Sequence, residues 1–237
     1  MHKTSFPFEK SEFNNFLLSV FVMSLVFFFF VWRTTDFNFI GGLGVFVVFF
    51  IFTFVISFIA RWVQKFAARK RGYQAVFKNT WQGMAVTIAI SFFSFGLIPL
   101  LSPGRIQIIH DEKARLGKFR YGFRYKDMSF VAIMGIVTYV VLVFLLKIFF
   151  STKNNELVNY LTMIGALIAG FSILPIPTFE GINILAHSRL LFFFFFVFVV
   201  AYGALLWFTN LYTIIIPLFV AILLTAGFLY FIEDKQF

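Results

Sequence analysis

The residues best suited to chemistry lie in one short stretch, Ser172-Ile-Leu-Pro-Ile-Pro-Thr-Phe-Glu-Gly181. Pro175 and Pro177 end any helix that reaches them, because proline lacks an amide donor and clashes with the preceding turn. Glu180 follows three residues later, beside Gly181. A carboxylate held by such a turn can ligate a metal or act as an acid. It can also be a plain helix terminus, since Pro and Gly punctuate most of them. A catalytic zinc takes about three protein ligands, and the chain is poor in candidates. Cysteine is absent, which removes thiolate ligands and thiol nucleophiles, and the histidines are His2, His110 and His187. His2 belongs to the N-terminal tail and His110 to a basic stretch. His187 shares a helical face with Glu180 if that stretch is helical, but no second histidine is near it in sequence. No G-x-S-x-G element is present, so a serine nucleophile has no support either.

The elements that must position these residues are set by composition. Of 237 residues, 61% are hydrophobic and 13% charged, and 41 are phenylalanine. Ordinary soluble domains have roughly 45–50% and about 25%. With a mean hydropathy of +0.92, the chain is neither soluble and globular, nor disordered, nor fibrous. Runs such as Phe27–Phe30 and Phe192–Phe196 need lipid as their solvent. The N-terminal MHKTSFPFEK leads into an apolar stretch too long for a cleavable signal and without a small-residue cleavage site.

A crossing helix needs about 20 apolar residues. Charge-free windows span 13–32, 37–60, 79–104, 128–146, 157–179 and 190–232. The last breaks best around Thr209–Asn210, with Pro217 a little beyond, giving crossings at 190–208 and 212–232. The window 79–104 contains Gly83, Gly96, Pro99, Pro103 and Gly104. If it crosses, Lys and Arg divide 10 against 10; if it dips in and returns, they divide 17 against 3. The positive-inside rule selects the second. The expectation is one all-α integral membrane domain over 1–237. It has six crossings, a re-entrant segment at 79–104, basic cytoplasmic loops at 61–78 and 105–127, and both termini cytoplasmic in the cell membrane. The net charge of +10 is then topological, and no nucleic-acid partner is expected.

This order of elements carries a resemblance. The stretch Leu174-Pro-Ile-Pro-Thr-Phe-Glu-Gly181 resembles the N-L-L-P-I-P-x-x-D-G segment of the site-2 proteases, with Ser172 at the asparagine position and Glu180 at the aspartate position. At the end of the second crossing, Ala60-Arg-Trp-Val-Gln64-Lys-Phe-Ala-Ala-Arg-Lys-Arg-Gly-Tyr73 is similar to H-E-x-x-H-K-F-x-A-x-(K/R)-x-G-Y of the archaeal-type branch. Trp81–Gly83 and the Gly/Pro-rich segment 95–104 also resemble that branch. Gly135 and Thr138 sit where the family has G-P-x-x-N, with Ile136 and Tyr139 replacing its proline and asparagine. The likeness covers roughly residues 40–190. It implies an intramembrane zinc metalloprotease fold, with Glu180 at the position of the third zinc ligand.

The departures decide what that fold can do. In H-E-x-x-H the two histidines bind zinc and the glutamate is the general base on the metal-bound water. Here those positions hold Ala60, Arg61 and Gln64. Alanine has no lone pair, glutamine is a poor zinc ligand, and arginine cannot be deprotonated to act as a base. The expectation is a pseudoprotease with no catalytic residue, no metal and no cofactor. It would act as a scaffold for a membrane-protein partner, a second copy or a larger complex. A transporter or channel component is the alternative. It would normally carry charged residues within its spans, and the five crossing windows other than 79–104 have none. An active protease with altered chemistry, built on Glu180, comes last. For the lost metal the residues suggest a substitute: an Arg61–Glu180 ion pair of two parallel hydrogen bonds, supported by Gln64. The competing arrangement has Arg61 reaching lipid headgroups and Glu180 facing water.

Overall fold

The computed structural model describes residues 10–32, 39–94, 96–97, 99–101, 104–110, 124–150, 156–206 and 214–233. Eight helices and two strands follow in order: α1 (Lys10–Trp32), α2 (Phe39–Lys70), β1 (Tyr73–Lys78), α3 (Trp81–Phe93), β2 (Arg105–His110), α4 (Tyr125–Phe150), α5 (Glu156–Ser172), α6 (Gly181–His187), α7 (Arg189–Leu205) and α8 (Ile215–Glu233). Helix accounts for 81% of these residues. Three helices, α1, α2 and α4, are long and apolar enough to cross a membrane. Four shorter apolar helices accompany them: α3, α5, α7 and α8. Phe93, Phe149, Ile215 and Phe219 are exposed. Large apolar side chains turned outward in such number suit hydrocarbon rather than water.

Helices α2 and α4 form the centre. α1, α4 and α5 pack on α2, and α5 and α6 pack on α4. Their shared core includes Ile56, Ala60, Ile136, Tyr139, Val143, Ile164 and Ile168. Phe16 of α1 meets Phe54 of α2 and Phe77 of β1, each at 5.7 Å between ring centroids. Such tilted aromatic contacts add to what area burial alone contributes.

The segments 61–78 and 105–127 are not simple loops. α2 runs unbroken through Arg61 and Gln64 to Lys70, because Ala60–Lys70 is rich in Ala, Gln, Lys and Arg and free of Gly and Pro. It ends where Arg71 and Gly72 donate to the Ala68 and Arg69 carbonyls and Gly72 turns at φ +75. β1 then pairs antiparallel with β2, from Tyr73 opposite His110 to Lys78 opposite Arg105. The fold therefore departs from all-α by a two-stranded sheet. The alternation that makes it, with Tyr73 and Phe77 buried on one face, is hidden by the charges on either side. Residues 111–123 of the second segment lie outside the described set, and α4 begins earlier than expected, at Tyr125.

The same pairing fixes the ends of 79–104. Lys78 and Arg105 are strand partners, so the chain leaves and returns at one place. Its helix α3 has 13 residues, about 20 Å at 1.5 Å per residue, against about 30 Å of hydrocarbon. The window 157–179 is not one helix either. α5 stops at Ser172 and the prolines force an irregular turn before α6. The break expected near Thr209–Asn210 lies outside the described residues, and Pro217 falls in the first turn of α8, where a missing amide costs nothing.

Candidate functional site

Arg61 and Gln64 lie three residues apart on α2 and so share a face. Both are buried, at 1% and 0% exposure. Glu180 arrives from the other side by the turn after α5. Ile173 and Leu174 still donate to the Ala169 and Phe171 carbonyls. The prolines then forbid continuation, and bonds from Ile176 to Leu174 and from Phe179 to Ile176 fold the chain back. Arg105 of β2 braces this turn by donating to the Pro177 carbonyl at 2.8 Å. Ser172 donates to the Ile168 carbonyl at 2.7 Å and takes no part in the site.

Glu180 stands at the N-cap of α6, yet its side chain makes no cap bond. The carboxylate is directed instead at α2 and is 2% exposed. Its Oε1 is ion-paired with Arg61 Nη1, and its Oε2 accepts from Gln64 Nε2 at 2.7 Å. Gln64 Oε1 accepts from Arg61 Nη1 at 2.8 Å, which closes a triangle of three side chains. The amide orientation is forced, because a guanidinium only donates and a carboxylate only accepts. Arg61 Nη2 donates to the Gly104 carbonyl at 3.2 Å, and Gln64 Nε2 also reaches the Val131 carbonyl at 3.3 Å. The guanidinium carbon lies 5.3 Å from the Phe77 ring centroid, within cation–π range. The sequence points to two parallel bonds from one guanidinium fork. In the structure the two carboxylate oxygens are divided between Arg61 and Gln64.

Close approach of the backbone makes room for this cluster. A Cβ on Gly135 of α4 would stand 2.0 Å from Gln64 Nε2 and 2.9 Å from Glu180 Oε2. A Cβ on Gly181 would stand 1.9 Å from the Ile173 carbonyl oxygen. Either position accepts only glycine without rearrangement. Ile136 and Tyr139, also on α4, are fully buried, and Tyr139 lies within electrostatic reach of Arg61 and Glu180.

The donor set does not fit a metal ion. Ala60 is buried and offers no lone pair. Both Glu180 oxygens already accept, and a fixed cation sits against one of them. Among the described residues, no three His, Cys, Asp or Glu side chains converge. His187 ends α6 and is exposed whereas Glu180 is buried, so the two do not build a common site. His2 lies outside the described residues, as does the His110 side chain.

Two further ion pairs were not foreseen from the sequence, and both involve the segment 61–71. Lys65 pairs with Glu12 of α1 at 2.6 Å, each 6% exposed, and Glu12 also accepts from the Phe77 amide at 2.5 Å. Arg71 pairs with Asp127 of α4 at 2.6 Å, and Tyr73 donates to the same carboxylate at 3.0 Å. The available signal was an acidic residue directly before the apolar windows that start at 13 and 128, Glu12 and Asp127. Segment 61–71 thus holds three cations that tie it to α1, to α4 and to the turn before α6. No family model, curated protein or solved structure matches the chain.

Proposed function

We propose that this protein is a non-catalytic relative of the site-2 proteases. On this reading it keeps the family's membrane fold as a binding scaffold for a membrane-protein partner, a second copy or a larger assembly. The observation that carries this is the closed Arg61–Gln64–Glu180 triangle. It joins the three positions where the resemblance puts the general base, the second histidine and the acidic zinc ligand. A guanidinium there repels a metal ion, cannot abstract a proton and replaces the metal's role of holding two elements together. The scaffold has six crossings with 79–104 re-entrant, both termini cytoplasmic, and the strand pair with its basic flanks on the same side. That topology keeps the excess of Lys and Arg on one face. It also lets irregular backbone lie where protein covers it.

The test uses full-length protein extracted in mild detergent. The expected result is zinc well below one equivalent in the wild type, with a membrane protein or a second copy co-purifying after cross-linking in the membrane. The triple substitution Ala60→His, Arg61→Glu and Gln64→His should gain close to one equivalent of zinc. Stoichiometric zinc in the wild type that is lost on Glu180→Gln would overturn the reading in favour of an enzyme. A lone monomer under several detergents would overturn the scaffold role.

A further inference from the structure

A hydroxyl buried in an apolar helix bundle has a ready partner in the carbonyl one turn back on its own helix. Ser24, Thr138, Ser172 and Thr225 all take it, donating to the carbonyls of Val20, Met134, Ile168 and Ala221. Thr53 and Ser57 of α2 do not. They are 0% and 1% exposed, and neither hydroxyl bonds to any described residue. With Arg61 they recur every four residues, so the three share one face of α2. Tyr139 of α4, also fully buried, joins them from the facing helix. Its hydroxyl lies beside Ser57 and within electrostatic reach of Arg61 and Glu180. The Ser57 and Tyr139 oxygens nevertheless form no hydrogen bond with each other or with another described residue. A stripe of hydroxyls thus runs from the ion cluster about 12 Å along α2, from Arg61 to Thr53 near the helix midpoint.

Chemistry selects the occupant. A hydroxyl both donates and accepts, so these groups ask for a partner that does both. A halide or carboxylate only accepts, and a metal ion only takes lone pairs. Charge points the same way. An anion here would face Glu180 and a cation would face Arg61, whose charges already offset each other. The fitting partner is small, neutral and able to bond in both directions. We propose that Thr53, Ser57 and Tyr139 hold an internal water, bonded to Ser57 and Tyr139 and passing a hydrogen bond on to Thr53 one turn along α2. A buried water typically makes about three hydrogen bonds, the number of hydroxyls on offer. Irregular polar groups at membrane depth are tolerated where protein encloses them, and a buried hydroxyl left dry costs free energy. The proposal depends on neither the scaffold reading nor the family resemblance.

The test is water-edited solid-state NMR of the full chain in phosphatidylcholine bilayers, reading tyrosine ring carbons as magnetisation spreads from water. Thr138–Tyr139 and Ala201–Tyr202 each occur once as a dipeptide, so pairwise isotope labelling assigns both signals without a variant. Tyr202 is the dry reference, equally buried but with its hydroxyl donating to the Val140 carbonyl at 3.2 Å. The Tyr139 signal should rise well before that of Tyr202, and Ser57→Ala should bring the two build-ups together. Equally slow build-up of both signals in the wild type would overturn the site, since the hydroxyls would then bond directly to protein. Early build-up that persists in Ser57→Ala would also overturn it. Tyr139→Phe should shift the unfolding equilibrium about fivefold toward the unfolded chain, the worth of one hydrogen bond. An unchanged equilibrium, or a shift the other way, is what loss of a dry hydroxyl gives and would equally refute the water.

Discussion

Replacing Arg61 by methionine keeps most of the apolar bulk of its stem and removes the charge. Glu180 then keeps only the Gln64 amide, which bonds Oε2 at 2.7 Å, and Oε1 loses its partner in a site 2% exposed. Breaking a buried pair from one side typically costs about 3–5 kcal/mol. Glu180→Gln strands the guanidinium instead, which cannot shed its charge. The double variant Arg61→Met/Glu180→Gln should cost less than the two singles together, by about 2 kcal/mol or more. The assay is equilibrium unfolding in mixed micelles followed by far-UV circular dichroism, for the four proteins side by side. Additivity within about 0.5 kcal/mol would refute the buried-pair reasoning.

Gly135→Ala should destabilise by about 1–3 kcal/mol through overpacking, because its Cβ would meet Gln64 Nε2 at 2.0 Å. Gln64→Ala in the same chain should recover part of that loss by vacating the space, read in the same unfolding assay. Lys65→Met should cost about 3 kcal/mol or more, since its partner Glu12 is 6% exposed. Asp127→Asn should cost about 1 kcal/mol or less and respond to salt, because the Arg71 side chain opposite it is 37% exposed. Cysteines placed at Lys78 and Arg105, which are strand partners, should react with an impermeant thiol reagent from the same side of sealed vesicles. Labelling from opposite sides would contradict the paired-strand geometry.

What the sequence determined by itself is what depends on composition and local periodicity. Lipid is the solvent of choice for a chain with 41 phenylalanines and 13% charge, wherever those residues end up. Helix termini at Pro175 and Gly72 follow from missing amide donors and left-handed backbone, both local properties. Glu180 stood out through its own Pro/Gly turn, whereas Arg61 and Gln64 were singled out by the resemblance of the stretch Ala60–Tyr73 to H-E-x-x-H, and each needs a partner once desolvated. Partner choice across distance belonged to the tertiary structure. That Glu12 answers Lys65 and Asp127 answers Arg71 depends on how α1 and α4 lean on the end of α2. No local pattern encodes that angle. The strand pair was decided in the same way, since six-residue strands 26 residues apart become a sheet only once packing brings their edges together. Gly135 shows the division within one residue. Its identity is plain in the chain, but its reason is a Gln64 amide that three-dimensional packing alone sets 2.0 Å from where its side chain would begin.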